Sequence, residues 1–406
     1  MIKAPTTRAE ALQRDAADPL ADRAALFDLP DGVTYLVGHS LGPPPKGARD
    51  RLAAAQADWA GDLVRSWNSA GWIDLAERTG DRLAALIGAQ PGEVIVADSV
   101  SVNLFKLAAA ALPQARTYAL FVEEDEFPTD QYIAAGLGGL SGAEVRLLAP
   151  GGSFEALTAG GVVIKSAVNY RSSEVADIAA HEREARRHGA LIIWDLSHAT
   201  GVLDLKLAAD GAVLAAGCTY KYLNGGPGAP AFVFVAEELS PKLANPLPGW
   251  MGHAAPFAFD GKYVPRDGVA RFASGTPPIL SLAALSGALE AIEDVDLGQL
   301  QAKARALGAL AVARAKAMGL DVLSPMEDVR RGGHVSIRIT EGYPVVQALA
   351  ARGVMADFRA PDTVRFGFSP LFLSYEAVWN AMAALAEILE SRSWDQPQFH
   401  ARAKVT

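Results

Sequence analysis

The sequence contains a single cysteine, Cys218, among its 406 residues. A disulfide needs two cysteines and a cysteine-rich metal site needs several, so both kinds of framework are excluded. Chains that use no disulfides are typical of reducing compartments. We therefore expect a cytoplasmic protein whose fold depends on its hydrophobic core.

Basic charge and long apolar runs are scarce as well. Lys and Arg number 37 against 46 Asp and Glu, a formal net charge of -9, whereas nucleic-acid binding proteins present a basic surface. The longest uncharged stretch, residues 272–289, is interrupted by serine, threonine and proline, which is unlike a membrane span. The first twenty residues lack the apolar core of a secretory signal. We expect neither a nucleic-acid partner nor a membrane partner.

Apolar runs of strand length alternate with helical patterns through the first two thirds of the chain. Such alternation predicts an α/β fold with a mostly parallel sheet, of the seven-stranded type, covered by helices on both faces. The predicted strands are residues 33–37, 93–98, 117–124, 143–149, 161–168 and 190–197, and two buried strands flank Lys221. The predicted helices in this part are residues 8–29, two helices within 48–87, 101–112 and 175–189.

The pattern changes after about residue 280 and indicates a smaller α+β unit. We predict one long amphipathic helix over 282–318, strands at 334–339 and 363–368, and helices near 343–352 and 375–391. The Gly- and Pro-rich segment 246–278 would carry the link. We expect an N-terminal segment (1–48) that packs with the small domain, a large cofactor-binding domain (49–278) and a small C-terminal domain (279–406).

Lys221 is the only charged residue between Gly211 and Ala236. An isolated ammonium is costly to bury, so this lysine must be paired, solvated or chemically used. Lysines in apolar pockets form Schiff bases, and the commonest such use is to hold pyridoxal phosphate, PLP. PLP also requires a carboxylate for its ring nitrogen, N–H donors for its phosphate and a stacking partner for its ring.

The sequence offers a candidate for each requirement. Asp195 ends a predicted strand, at the sheet edge where α/β proteins bind ligands, and could pair with the ring nitrogen. Val100 and Ser101 lie where a strand gives way to a helix, which suits a phosphate. The remaining candidates near the ring are His198, Phe127, Thr129 and Asp130. A lone aspartate is more often a helix cap and a lone phenylalanine is more often core, but the ordered set favours a PLP site.

Two motifs are typical of other classes of enzyme, but the neighbouring residues do not fit those classes. GHSLG (38–42) matches the nucleophile elbow of α/β-hydrolases, but Pro43, Pro44 and Pro45 follow where a helix must begin. NGGPGAP (224–230) is glycine-rich, but it lacks the Gly-Lys-Ser/Thr ending of a nucleotide-binding loop. The glycines there are better explained by a tight turn.

The blocks WDLSHATG (194–201) and GCTYKYLNGGPGAPAFVFV (217–235) together strongly resemble kynureninase, a fold-type-I PLP enzyme related to the class V aminotransferases. The resemblance extends from about residue 34 to 375. Other stretches carry it in the same order: YLVGHSLGPPPKG, VRSWNSAGW, VSVNLFK, EFPTDQY, AVNYRSS, LPGWMGH, RFASGTPPIL and VRFGFSPLF. It implies hydrolytic cleavage of the Cβ–Cγ bond of L-kynurenine, or of 3-hydroxy-L-kynurenine, to anthranilate or 3-hydroxyanthranilate and L-alanine, in tryptophan catabolism or pyridine nucleotide biosynthesis.

The resemblance also implies roles for individual residues. Lys221 would bind PLP covalently and move the Cα proton, and Asp195 would pair with the ring nitrogen beside His198. Tyr220 would act as an acid or as a phosphate ligand, and these two roles stay open. The other residues expected at the cofactor are Phe127, Pro128, Thr129, Asp130, Val100, Ser101 and Ser166, together with Trp250 and Thr276 from the partner subunit of a homodimer.

Substrate contacts follow from the same resemblance. Arg365 would clamp the α-carboxylate of the small amino-acid substrate, although an arginine on a strand also fits a structural ion pair. The other expected contacts are His39, Ser40, Trp67 and Asn68. Trp67 and Thr276 would form a bulky apolar wall with a small hydroxyl, which favours the unsubstituted ring.

Two departures from the family pattern bear on substrate preference. His39 stands in GHSLG where the family has GNSLG, and AVNYRSS (167–173) is shorter and more polar than usual. The alternative function within the superfamily is a cysteine desulfurase or an aminotransferase. A desulfurase needs a reactive cysteine on a mobile loop, whereas Cys218 lies in an apolar run next to Lys221.

Overall fold

The largest sheet of the computed structural model has seven strands, in the order β2-β8-β7-β6-β5-β3-β4. Strands β3 to β7 pair in parallel, and β8 runs antiparallel to both of its neighbours, β7 and β2. The structure describes residues 2–259 and 261–402. The strands of this sheet are β2 (Val94–Val96), β3 (Ala119–Glu123), β4 (Glu144–Leu148), β5 (Val162–Ser166), β6 (Leu191–Asp195), β7 (Leu214–Gly217) and β8 (Phe232–Val235). The predicted α/β class with a mostly parallel sheet is confirmed.

A smaller antiparallel sheet, in the order β12-β13-β10-β9, forms from the last quarter of the chain. Its strands are β9 (Asp321–Val322), β10 (His334–Arg338), β12 (Asp357–Arg359) and β13 (Thr363–Gly367). A separate parallel pair joins β1 (Thr34–Tyr35) to β11 (Val354–Met355). The N-terminal segment is therefore hydrogen-bonded to the C-terminal part of the chain.

Fourteen α-helices surround these sheets within residues 2–259 and 261–402. Central strands β3, β5 and β7 are buried along their whole length, as continuous apolar runs in a covered parallel sheet should be. No helix in the described part of the chain is long and apolar enough to span a bilayer. The helices are α1 (Arg8–Ala16), α2 (Lys46–Asp62), α3 (Ser66–Ser69), α4 (Leu75–Ile87), α5 (Val100–Ala111), α6 (Pro128–Ser141), α7 (Ser153–Ala159), α8 (Ile178–His188), α9 (Leu207–Asp210), α10 (Ile279–Leu289), α11 (Leu297–Ala317), α12 (Gly342–Ala350), α13 (Tyr375–Ser391) and α14 (Pro397–His400).

Two sequence-based helix predictions were wrong. The single helix predicted over 282–318 is two helices, because Asp296 caps α11 by accepting a hydrogen bond from the Gln299 amide at 2.9 Å. The helix predicted over 8–29 ends at Ala16 and is followed by a short 3-10 helix over Ala21–Leu26. Pro19 lies in the break, where it cannot continue a helical hydrogen-bond ladder. Helices α6 and α7 were not predicted, since their glycine-rich and short sequences carry little helical periodicity.

Candidate active site

A cavity of about 330 Å³ lies at the carboxyl edge of the seven-stranded sheet, the edge where open α/β sheets bind ligands. It brings together twelve of the residues that the sequence singled out. They are His39, Ser40, Val100, Ser101, Phe127, Thr129, Asp130, Asp195, His198, Tyr220, Lys221 and Arg365. Tyr170, Ser197 and Arg359 complete the lining.

Lys221 projects into this cavity from a tight turn after β7. The Asn224 amide donates to the Lys221 carbonyl at 2.9 Å, and Asn224 adopts a left-handed backbone with φ 58°. The Gly42 amide donates to the Tyr220 carbonyl at 2.7 Å. A side chain at residue 42 would collide with the Lys221 carbonyl and with Asn224. Only glycine at position 42 therefore lets the N-terminal segment hydrogen-bond to the backbone of the turn that carries Lys221.

The Lys221 amine lies beside an imidazole that carries no positive charge. Its Nζ is 3.4 Å from both ring nitrogens of His198. Burial lowers the pKa of His198 well below its usual value, and the neighbouring Lys221 charge lowers it further. A neutral imidazole can accept a hydrogen bond from the amine without repelling it.

Two buried carboxyl groups form the opposite wall. Asp195 ends β6, and its Oδ1 accepts from the Ser197 amide at 2.7 Å. Asp130, in the first turn of α6, is 1% exposed, and its Oδ2 has no hydrogen-bond partner among the described residues. Burial raises the pKa of Asp130 well above its usual value, and the Asp195 carboxylate raises it further. A cationic ring nitrogen placed here would satisfy this carboxyl pair, so the residues fit PLP.

Helix α5 begins at the cavity and supplies donors for an anion. Its N-cap, Ser99, accepts from the Val102 amide at 3.4 Å, and Val100 and Ser101 line the cavity. The first amides of a helix have no partner within it and attract phosphate groups. Phe127 offers a partly exposed ring whose centroid lies 5.3 Å from that of Tyr170, edge to face.

Arg365 lies at the far end of the cavity on β13 and is already held by two partners. Its Nε and Nη2 donate to the Asp357 carboxylate at 3.0 and 2.7 Å, and its Nη1 donates to the Tyr170 carbonyl at 2.6 Å. Three of its five N–H donors are used in this way, which leaves two for a ligand. Arg359, with its Nη2 3.0 Å from Asp357, is a second cation at the same end.

Three buried histidines lie close together at this end as well. The His39 ring lies on that of His334 with centroids 5.1 Å apart, and His334 lies 5.7 Å from His198. Burial lowers the pKa of all three. The ring nitrogens of His39 and His334 have no hydrogen-bond partner among the described residues. The wall contributed by His39 is therefore neutral.

Six of the expected site residues do not line the cavity in a single chain. Pro128 opens α6 between two residues that do, and Ser166, at the end of β5, lines a neighbouring cavity. Trp67 packs edge-on against Trp72 with centroids 6.2 Å apart. The other three are exposed or partly exposed elsewhere on the chain: Asn68, Trp250 and Thr276.

Comparisons with known proteins agree with this geometry. The chain is 44% identical to kynureninase of Pseudomonas fluorescens over 99% of its own length and 100% of that protein. It is 43% identical to kynureninase of Burkholderia pseudomallei over 98% and 100%. The chain belongs to the kynureninase family. A family model described as the kynureninase C-terminal domain matches residues 300–385.

Solved structures show that this kynureninase family member shares its fold with more distant enzymes. A cysteine desulfurase from Thermococcus onnurineus superposes with a TM-score of 0.77 at 17% identity, over 96% of this chain and 100% of that chain. A C-DES mutant with glycine covalently linked to its PLP cofactor gives 0.78 at 16%, over 88% and 97%. At such identities the likeness concerns the fold alone.

Sequence reasoning missed five residues of this kynureninase-type site. Tyr170 and Ser197 lay inside quoted motifs but carried no assigned role. Asp357 and Arg359 alternate on β12, and Asp357 pairs in register with Arg365. That alternation of charges on a short strand was the available signal. His334 gave none, because only the fold brings it to His39.

Proposed function

We propose that the chain is a PLP-dependent hydrolase that cleaves L-kynurenine at its Cβ–Cγ bond, releasing anthranilate and L-alanine. The observation that carries this proposal is one cavity lined by Lys221, by the carboxyl groups of Asp130 and Asp195, and by two arginines. Such a lining offers carboxyl groups to a cationic ring, an amine to a carbonyl, and guanidinium groups to a carboxylate. Family membership selects kynurenine as the substrate.

Each cofactor contact has a residue of this chain. Lys221 would hold PLP covalently, Asp195 would pair with its ring nitrogen, and the α5 amides at Val100 and Ser101 would receive its phosphate. Phe127 would pack on the ring. When bound, PLP supplies an electron sink for the pair of electrons left at the substrate Cα.

The side chains that would move protons are groups whose protonation state follows from their surroundings. The Lys221 amine would take the proton from Cα, and His198 beside it stays neutral and accepts a hydrogen bond. Burial raises the pKa of Tyr220 above its usual value. Its phenol therefore keeps its proton at neutral pH, as it must to donate either to the phosphate or to the departing group.

Cysteine desulfurase activity is disfavoured although the fold is shared. The Cys218 thiol is 3% exposed, and burial raises its pKa above the usual value. The Cys218 amide and thiol both contact Ser197 in the interior. A persulfide carrier needs an accessible thiolate on a mobile segment, which Cys218 does not provide.

The first experiment measures turnover. PLP-loaded protein is mixed with L-kynurenine, and anthranilate is followed by its fluorescence while L-alanine is quantified. We expect equal amounts of the two products, and the kcat/KM values for L-kynurenine and for 3-hydroxy-L-kynurenine, measured side by side, decide which substrate is preferred. If the protein visibly holds PLP but releases no anthranilate, the cofactor assignment stands and the substrate assignment is wrong.

We also infer a cytoplasmic homodimer with shared active sites. Trp250 is 37% exposed and packs against Phe257, which is 58% exposed, so an apolar surface is available for a partner. Neither Trp250 nor Thr276 lines the cavity of its own chain. In a homodimer these residues would complete the cavity of the other subunit.

Subunit mixing tests this shared site. Lys221→Ala and Trp250→Ala are each expected to be inactive as homodimers. Heterodimers of the two contain one cavity with both substitutions and one with neither, so we expect about half of the wild-type activity. Heterodimers isolated with two different tags give the measurement. Heterodimers without activity would show that Trp250 acts on its own subunit.

A further inference from the structure

A second cavity of about 500 Å³ lies along the same edge of the seven-stranded sheet, next to the first. Glu123 and Glu126, from the end of β3 and the loop that follows, and Lys165, from β5, line it. Glu126 stands at the boundary, because Asp130 of the first cavity lies four residues further along the chain. Glu126 has no role in the proposed reaction.

The Glu126 carboxyl group is buried and only half satisfied. It is 3% exposed, and its Oε1 accepts from the Ser166 amide at 3.0 Å. Ser166 pairs in register with Asp195 on the adjacent strand, so this hydrogen bond anchors Glu126 behind the active site. Its Oε2 has no hydrogen-bond partner among the described residues.

Among the described residues, the one cation within ion-pair distance of Glu126 is shared with a second carboxylate. Lys165 is the nearest, but its Nζ lies 3.0 Å from Glu123 and 3.8 Å from Glu126. Glu123 also accepts from the Ser153 amide at 2.9 Å, which fixes it as the partner of Lys165. The charge of Lys165 is therefore already matched by Glu123.

The other acidic groups nearby make ionisation of Glu126 more costly. Asp130 is buried with one unpartnered oxygen, and Asp195 lies beyond it. Asp130 and Asp195 line the cavity that contains Lys221, whereas Glu126 lines the second cavity. Burial raises the pKa of Glu126 to about 7, although the Lys165 charge acts in the opposite direction. A further buried negative charge here would have to share Lys165 with Glu123.

We propose that Glu126 is a positioning residue whose buried, uncharged carboxyl group holds the Ser166 backbone behind Asp195 without adding a negative charge there. The neutral carboxyl keeps the hydrogen bond from the Ser166 amide, and its other oxygen has no hydrogen-bond partner among the described residues. A cofactor ring placed beside Asp195 would then meet no additional negative charge from Glu126. Only this last consequence rests on the proposed function.

Glu126→Gln is the matched test, because glutamine keeps the shape and the acceptor for Ser166 but cannot ionise. Glu124→Gln is the control, since Glu124 is its exposed near neighbour. Infrared spectra of the cofactor-free protein report the C=O stretch of protonated carboxylic acids. We expect the difference between the wild-type and Glu126→Gln spectra to contain a band that titrates with a midpoint of about 7, and the difference between the wild-type and Glu124→Gln spectra to contain none.

Thermal unfolding gives a second readout with a defined sign. The folded-state pKa of Glu126 lies above its ordinary value of 4.5, at about 7, so the native state binds the extra proton and loses stability as pH rises between these values. Glutamine has no such loss. The Tm of Glu126→Gln minus that of wild type should therefore increase from about pH 5 to about pH 8, whereas the Glu124→Gln difference should stay constant.

The pH dependence of kcat tests whether the proton on Glu126 affects the active site. In the holoenzyme, we expect the pH profile of kcat to lose an inflection near 7 in Glu126→Gln and to keep it in Glu124→Gln. A wild-type spectrum without a titrating carboxyl band near neutral pH would overturn the proposal, and this measurement needs no folded variant. A pH-independent Tm difference for Glu126→Gln would overturn it too. Neither result depends on which substrate the enzyme uses.

Discussion

Replacement of Lys221 with alanine should reduce kcat for kynurenine cleavage by at least about 10³-fold. The expected loss has two sources, because the amine both attaches the cofactor and moves the Cα proton. General acid–base catalysis alone contributes about 10²–10⁴-fold. Between Gly211 and Ala236 no other side chain carries an amine, so nothing nearby on this segment can replace it. Anthranilate fluorescence measures the rate.

The same variant should lose the visible absorbance that PLP acquires when it is bound to lysine. Lys206→Ala is the matched control, since that lysine is 59% exposed and pairs with Asp204 away from the cavity. The control should keep both the absorbance and the rate. If Lys221→Ala kept its visible absorbance after dialysis, the anchor would have to be another lysine, and the assignment of this cavity would fail.

Arg365→Lys should raise KM for L-kynurenine by about 10- to 150-fold, with a smaller change in kcat. Hydrogen bonds to charged groups contribute about 1.5–3 kcal/mol, which corresponds to that range. Lysine keeps the charge but cannot reproduce the planar fork that binds Asp357 while presenting further N–H donors to a carboxylate. Steady-state kinetics on the PLP-loaded variant give both constants.

Two explanations of Arg365 differ in what this variant does. A carboxylate clamp predicts a raised KM, whereas a purely structural ion pair with Asp357 predicts a lower Tm and an unchanged KM. Arg338→Lys is the control, because Arg338 lies on the neighbouring strand β10, is 52% exposed and pairs with Asp321. It should change neither constant. A variant of Arg365 with normal KM and reduced Tm would remove the clamp from the mechanism.

The centre of the site was accessible from sequence for a physical reason. Strands β6 and β7 are buried apolar runs whose ends are marked by polar residues, and neighbouring parallel strands end at one edge. Asp195 and Lys221 had to meet there once the alternation of strands and helices was recognised. The α/β class follows from the same alternation.

The periphery was not accessible because it depends on long-range contacts. Asp357 faces Arg365 through antiparallel pairing of β12 with β13, and His334 meets His39 across nearly three hundred residues of chain. Neither pairing leaves a local pattern. The break between α10 and α11 rests on one capping aspartate inside an otherwise helical sequence. Trp250 and Thr276 were expected at the site only through the family resemblance, because no local pattern indicates contacts with a second subunit.

The pairing of β1 with β11 has a consequence for synthesis on the ribosome. The Gly367 amide donates to the Leu36 carbonyl at 2.7 Å, and His39 packs directly on Gly367. At about 5–20 residues per second, the nascent N-terminal segment waits for tens of seconds before these partners are made. Until then the turn that carries Lys221 lacks its hydrogen bond from the Gly42 amide. The first forty residues to be translated are thus among the last to reach their native contacts.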